Sequence, residues 1–270
     1  MMSENNTTPA ASSSRWNDLS TRLASALVLV VLGATAIFQG GMWFSLFTTF
    51  AAGMIVWEVG QIIKPEAHLE SAAMAVLTTA IVTALPPDLS LGWEKLAFVI
   101  PALLGLYLFR PHGVIFAFFA LAAALAGWAL LTFRVAPGLY FVLWIVTVVI
   151  ATDVMGYFAG RIIGGPKFWP RVSPKKTWAG VVAGWIGAGI VGAIFVWPLQ
   201  LGWELIPISM AMSLFSQLGD IAESALKRKF GVKDSSNLIP GHGGVFDRFD
   251  ALIGASFFVM LVWLSTGWPG

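Results

Sequence analysis

The chain has 270 residues, of which 57% are hydrophobic and only 11% are charged. Its 13 Trp, its 20 Phe and a mean hydropathy of +0.80 predict an all-α integral membrane protein with many spans and exclude a soluble globular core. The net charge of only +2 argues against nucleic acid as a partner, and the absence of Cys excludes disulfides and thiolate metal sites.

Three regions follow one another along the chain. Residues 1–20 are rich in Ser, Thr and Asn and are predicted to form a disordered polar tail. Residues 21–150 are predicted to be transmembrane scaffold helices, and residues 151–270 a candidate catalytic transmembrane region with basic loops. About nine transmembrane helices are predicted, at 23–39, 42–63, 71–86, 96–109, 114–133, 138–155, 178–199, 205–222 and 251–267.

The distribution of basic residues predicts that the N-terminus lies in the cytosol. With that orientation 14 of the 16 Lys and Arg lie on the cytosolic side, and only Lys95 and Arg134 lie outside. A multi-pass protein of the cell inner (cytoplasmic) membrane follows, with its basic loops on the cytosolic face. Arg22, Leu23–Leu32 and Ala34–Ala36 resemble a signal peptide, but the long polar lead favours an uncleaved first helix.

The front half offers little chemistry. Trp57, Glu58, Lys64 and His68 lie near one predicted cytosolic helix end. They are interpreted as interfacial anchors with a solvated charge.

Candidate functional residues begin at Asp153. Asp153, Gly156, Tyr157 and Gly160 recur at i, i+3, i+4 and i+7, and the small residues let another helix approach closely. A charged side chain at membrane depth costs about 2.5–3.5 kcal/mol, so Asp153 is expected to have a partner, either a cation or a neighbouring helix.

The loop 161–176 contains five basic residues and no carboxylate. It ends with Ser173, Lys175 and Lys176, and Thr177 follows. Ser173 or Thr177 can cap the next helix with its hydroxyl, and the lysines can bind phosphate. A basic loop that only sets membrane topology is the alternative.

One nucleotide-binding pattern is rejected. Gly187, Gly189 and Gly192 satisfy G-x-G-x-x-G, but they lie inside an apolar span with no preceding strand. Together with Gly180 and Gly184 they predict a helix-packing face.

The charged residues concentrate in the segment 213–250. On a helix, Asp220, Glu223, Ser224 and Lys227 share one face, which thus carries two carboxylates, a hydroxyl and an amine. Gly241, Gly243 and Gly244 favour a turn whose backbone N–H groups can bind phosphate. Carboxylates beside basic residues imply a divalent cation, most naturally Mg²⁺, because they would otherwise repel a phosphate-rich substrate.

The same segment resembles the signature of the phosphatidate cytidylyltransferase (CDP-diacylglycerol synthase) family. The resemblance is carried by Ser224–Arg228, Lys233-Asp234 and Pro240–Asp250, and the blocks at 153–161, 173–178 and 216–220 are similar to the family's other blocks. It covers roughly residues 150–250. Ala179 departs from the pattern, since Glu is expected after Trp178.

The resemblance implies an enzyme that transfers CMP from CTP to phosphatidic acid and releases pyrophosphate. It implies catalytic roles for Asp220, Lys227, His242, Asp247 and Arg248, and Mg²⁺ ligands among Asp153, Asp220, Glu223, Asp247 and Asp250. The residues expected to bind substrate are Ser173, Lys175, Lys176, Thr177, Ser224, Arg228, Lys233, Asp234, Gly243 and Gly244.

Alternatives and partners remain open at this point. A CTP-dependent lipid or polyprenol kinase would use the same residue types, whereas an anion transporter would more plausibly show paired repeats and a midplane site. The expected partners are CTP, phosphatidic acid and the lipid bilayer. The glycine-rich faces could pack within one chain or between two, so a homodimer is compatible with the sequence.

Overall fold

The computed structural model describes residues 11–88 and 92–268. The helices are α1 (Ala11–Gln39), α2 (Gly41–Ile63), α3 (His68–Ala84), α4 (Val99–Leu108), α5 (Gly113–Val135), α6 (Leu139–Ile162), α7 (Trp178–Leu199), α8 (Leu205–Lys229) and α9 (Phe246–Thr266). A short 3₁₀ helix, Trp93–Phe98, precedes α4. The strands β1 (Lys167–Trp169) and β2 (Ser173–Thr177) form an antiparallel hairpin between α6 and α7.

Each predicted apolar segment lies on one of these helices, so the all-α membrane class is confirmed. Among the described residues, seven helices are long and apolar enough to cross a membrane, whereas α3 has 17 residues and α4 has 10. The loop 161–176 differs from the expectation because part of it pairs as the β1–β2 hairpin. Residues 1–10 of the predicted polar tail lie outside the described residues, and α1 already begins at Ala11. Extending an existing helix costs less than nucleating one, so a polar segment can continue it.

Helices α6 to α9 pack in chain order, each against the next, while α2 packs against α3 and α5. One apolar cluster surrounds Phe141 and Trp144 of α6. A second cluster joins Val56 of α2 to Leu226 of α8 and Phe246 of α9. This second cluster lies beneath the charged residues described below and holds three helix ends together.

Polar contacts between distant segments bring several helix ends to one edge of the bundle. Ser25 of α1 contacts His242, Glu58 of α2 binds the start of α9, and Lys176 of β2 pairs with Asp220 of α8. This edge is therefore shared by the start of the apolar part of α1 (Ser20–Gln39), the ends of α2 and α8, the start of α9 and the hairpin. The cytosolic ends predicted from the basic residues are the same ends.

The predicted glycine faces are confirmed as sites of close helix packing. A Cβ atom on Gly180 would lie 2.6 Å from the carbonyl oxygen of Gly156, and one on Gly192 would lie 2.6 Å from Oγ of Ser209. On the α8–α9 interface, a Cβ atom on Gly219 would contact the carbonyl oxygen of Asp250. The rejected G-x-G-x-x-G pattern thus packs helices, as expected.

Gly180→Val tests the α6–α7 contact. Because a side chain cannot fit against the carbonyl of Gly156, we expect the free energy of unfolding to fall by about 1–3 kcal/mol. The measurement is the thermal unfolding midpoint in detergent, with the exposed Ile190→Leu on the same helix as the control. An unchanged midpoint for Gly180→Val would show that α6 and α7 do not pack this closely.

Candidate active site

The centre of the site is a buried ion pair that joins α8 to α9. Nζ of Lys227 lies 2.6 Å from Oε2 of Glu223 and 2.6 Å from Oδ1 of Asp247. Glu223 and Lys227 are one helical turn apart on α8, as the sequence pattern predicts, and Asp247 is in the first turn of α9. Lys227 therefore bridges the two carboxyl groups and ties α8 to α9.

The second oxygen of Asp247 organises the loop between α8 and α9. Its Oδ2 accepts hydrogen bonds from the N–H and the hydroxyl of Ser235, at 2.8 and 2.7 Å, and from the N–H of Gly244 at 2.7 Å. A Cβ atom on Gly243, whose φ is +80°, would lie 2.6 Å from this oxygen, so only glycine fits there. The N–H of Gly244, expected to meet phosphate, is therefore already bonded to Asp247.

Glu58 holds the same loop from α2. Its carboxylate accepts hydrogen bonds from the hydroxyl of Ser236 and from the backbone N–H groups of Val245 and Phe246, at 2.6 to 2.9 Å. The hydroxyl oxygen of Ser235 lies 3.1 Å from it and shares its one proton between Glu58 and Asp247. The side chain is fully buried, so the interpretation of Glu58 as a solvated interfacial charge is wrong. The carboxylate replaces water as the partner of the first N–H groups of α9, where negative charge is stabilised.

Three carboxylates form a group that could hold a metal ion. Asp220, Glu223 and Asp250 each offer an oxygen, and these oxygens lie within 4.8 Å of one another. Oε1 of Glu223 is buried and has no hydrogen-bond partner among the described residues. A bound cation would supply the partner that this oxygen lacks. Such a set of hard oxygen donors fits Mg²⁺.

Two other predicted ligands stand in different relations to this group. Asp153 is near enough to Asp220 and Lys176 to interact with both electrostatically, but it is not part of the three-carboxylate group. Asp247 is also outside that group, and both its oxygens are hydrogen-bonded within the protein.

The β1–β2 hairpin forms one wall of the site. Nζ of Lys176 lies 2.5 Å from Oδ2 of Asp220, while the hydroxyl of Ser224 donates to Oδ1 at 3.3 Å. Thr177 caps α7 by accepting from the N–H of Gly180 at 3.2 Å, which confirms the predicted cap. Lys175 is exposed beside them on the same strand, which begins at the half-buried Ser173.

A polar cavity of about 350 Å³ lies beside the glycine turn. Its charged lining residues are Arg22, Lys233, Asp234 and Arg248. His242 and Gly243 of the glycine turn also line it. Arg248 donates two hydrogen bonds to the carbonyl of His242, at 3.1 and 2.8 Å. Arg228 is exposed and donates to the carbonyl of Val232, at the start of the same loop.

An apolar cavity of about 590 Å³ adjoins the polar one. It is lined by α1, α2, α5, α6 and α9, and among its few polar lining residues are His242 and Arg248. Because these two residues line both cavities, the pair of cavities suits an amphipathic molecule.

Several residues of the site are missing from the sequence prediction. Glu58, Ser235 and Gln217 are among them. The side-chain oxygen of Gln217 accepts a hydrogen bond from Trp185 at 3.2 Å, and its backbone carbonyl accepts one from Lys176 at 3.4 Å. A usable signal existed only for Glu58, because a carboxylate inside an otherwise apolar span is costly unless it is partnered.

The fold and the site define an α-helical membrane protein in which a group of carboxylates that could hold a metal ion lies beside basic residues. The chain belongs to the cytidylyltransferase family, whose model matches residues 20–265.

Named relatives agree with this placement. The chain is 45% identical over 123 residues to the phosphatidate cytidylyltransferase of Brucella suis, a match that covers 44% of this chain and 45% of the relative. It is 43% identical over 119 residues to the phosphatidate cytidylyltransferase of Bacillus subtilis, covering 43% of this chain and 44% of the relative. The match therefore spans a little under half the length of each of these relatives.

Lys227→Met tests the central ion pair. The change leaves Glu223 and Asp247 as buried carboxylates without their shared ammonium, and breaking a buried pair in this way costs about 3–5 kcal/mol. We expect a large fall in the thermal unfolding midpoint, whereas Lys229→Met, which removes an exposed lysine of the same helix, should leave it unchanged. Equal midpoints for the two variants would contradict the role of Lys227.

Glu58→Gln tests the contact between α2 and the loop. The amide N–H₂ of Gln would face N–H and O–H donors, and each donor left without an acceptor costs about 1–3 kcal/mol. We expect a lower unfolding midpoint and faster proteolysis within residues 234–245. The exposed Glu66→Gln is the matched control, and an unaltered cleavage rate in Glu58→Gln would overturn the assignment.

Proposed function

We propose that this protein transfers CMP from CTP to phosphatidic acid, giving CDP-diacylglycerol and pyrophosphate for membrane phospholipid synthesis. The observation that carries the proposal is the position of the three-carboxylate group. It lies beside the basic side chains of Lys176 and Lys227, and contacts through Lys227, Asp247 and Gly243 connect it to the wall of the polar cavity. The polar cavity and the apolar cavity together suit a phospholipid. The names of the relatives support the same substrates.

The reaction needs no nucleophile from the protein. A phosphate oxygen of phosphatidic acid forms a bond to the α-phosphorus of CTP, while the bond from that phosphorus to the bridging oxygen breaks and pyrophosphate leaves with the electron pair. The task of the site is to hold two anions together and to neutralise their charge. Positive charge comes from two sides: Lys175 and Lys176 lie on β2, while Lys233 lies in the α8–α9 loop and Arg248 in the first turn of α9.

We further propose that Asp220, Glu223 and Asp250 hold Mg²⁺. When bound, the ion would supply charge neutralisation at the phosphates of CTP. Lys227 and Asp247 then act chiefly by fixing α8 against α9, so that the three carboxylates stay close together. Asp153 adds negative charge beside this group from α6.

We propose nine spans, with the N-terminus and the site on the cytosolic face of the inner membrane. The shared edge of helix ends supports this orientation, since CTP is available only in the cytosol. The short helices α3 and α4 are consecutive, so counting both or neither as spans leaves α5 to α9 with the same orientation. The site therefore faces the cytosol with nine spans or with seven.

The deciding experiment uses CTP labelled separately at the α- and γ-phosphates, with purified protein, phosphatidic acid and Mg²⁺. We expect label from the α-position in the lipid, with release of pyrophosphate and complete loss of transfer when EDTA removes the metal. Asp220→Asn and Asp250→Asn should lower the rate about 100-fold or more, while the exposed Glu204→Gln at the other end of α8 should not. Lipid label from the γ-position would identify a kinase, and absence of transfer from either position would favour a transporter.

A further inference from the structure

The N-terminal helix α1 contacts the candidate site although most side chains of its segment Ser20–Gln39 are exposed. Oγ of Ser25 lies 2.7 Å from Nδ1 of His242 and donates to the carbonyl of Pro240 at 2.9 Å. Arg22, one turn earlier, lines the polar cavity and packs against Gly241, where a Cβ atom would lie 2.6 Å from Cγ of Arg22. Thus α1 reaches the glycine turn with two polar side chains on one face.

The contact between Ser25 and His242 determines how the imidazole is held. When the hydroxyl donates to the carbonyl of Pro240, it accepts from Nδ1–H, and Nε2 is left as the ring atom available to a ligand. Ser25 therefore orients a side chain that lines both cavities.

The charges of the polar cavity favour a phosphate group. Arg22, Lys233 and Arg248 supply three positive charges against the one carboxylate of Asp234. Guanidinium groups bind phosphate through two parallel N–H donors, which makes arginine the preferred residue for such a site. Arg248 also lines the apolar cavity, so a phosphate bound there would lie at the mouth of an apolar space.

That apolar space is large enough for part of a lipid. Its volume of about 590 Å³ lies within the range of pockets that enclose small organic ligands, about 300–1,000 Å³. Helix α1 forms one wall of it, with Ala26, Leu29 and Val30 following Ser25 along the helix. One helix therefore contributes both polar residues beside the phosphate position and apolar residues beside an acyl chain.

We propose that α1 completes the binding site for the lipid acceptor. In this site Arg22, Arg248 and the Ser25-oriented His242 bind the phosphate monoester of the lipid, and an acyl chain occupies the apolar cavity. CTP then binds where Lys176 and the three carboxylates lie. The proposal rests on the proposed function, because it takes the acceptor to be a phospholipid.

Steady-state kinetics separate this role from a merely structural one. Ser25→Ala should raise the KM for phosphatidic acid about tenfold, since it removes one hydrogen bond, and Ser25→Thr should restore it. Arg22→Gln should raise the same KM about 10- to 100-fold, since it removes a charged donor. For each variant we expect the KM for CTP and kcat to change less than twofold, as in the control Leu23→Ala, whose side chain is exposed. Equal increases in both KM values, or no increase in either, would overturn the proposal.

The apolar half of the site has its own test. Ala26→Phe fills part of the cavity, so we expect it to weaken the binding of dipalmitoyl phosphatidic acid more than the binding of dioctanoyl phosphatidic acid. Ala24→Phe adds the same ring to an exposed position of α1 that does not line the cavity. If both variants affect the two lipids alike, the acyl chain does not occupy this cavity.

A binding measurement without CTP keeps this proposal distinguishable from the proposed function. We expect dioctanoyl phosphatidic acid to raise the thermal unfolding midpoint of the wild-type protein, whereas dioctanoyl phosphatidylcholine should not. The increase should be absent in Arg22→Gln and smaller in Ser25→Ala. An increase of the same size in both variants, or none in the wild type, would disprove the subsite whether or not CMP transfer is observed.

Discussion

The rest of the site depends on the contacts that the buried carboxylate of Asp247 makes with α8 and with the loop before α9. One oxygen binds the ammonium of Lys227 on α8, and the other accepts three hydrogen bonds from the loop that leads into α9. A buried charge is stable only when such partners satisfy it, so the register of α8 against α9 and the path of the loop are fixed together. Glu58 adds a second carboxylate to the same loop from α2, and α2 is thereby part of the site.

The local parts of this arrangement were predictable from the sequence. The spacing of Asp220, Glu223 and Lys227 places them on one face of a helix wherever that helix packs. Thr177 caps the helix through Gly180, only three residues away. Gly180 and Gly184 lie one turn apart, so the helical repeat predicts a helix-packing face at these positions. The apolar segments were predicted equally well, because a membrane-spanning helix must satisfy all its backbone hydrogen bonds internally.

The long-range contacts were not predictable in this way. Glu58 binds Ser235, 177 residues away, and Ser25 contacts His242, 217 residues away. No periodicity relates such positions, and Ser25 is one small polar residue among many in the first helix. Glu58 differs, because a carboxylate in an apolar span requires a partner; the sequence indicates that the partner exists but does not identify it. The hairpin β1–β2 was missed because its strands have three and five residues, too few for an alternating pattern.

The glycine turn lies between the polar cavity and the buried ion pair. Gly243 lines the polar cavity on one side and packs against Asp247 on the other, so the turn is only one residue thick where it separates the cavity from the buried ion pair. Any larger residue at 243 would be strained at φ +80° and would displace the carboxylate of Asp247, so the separation of the two sides depends on glycine at this position.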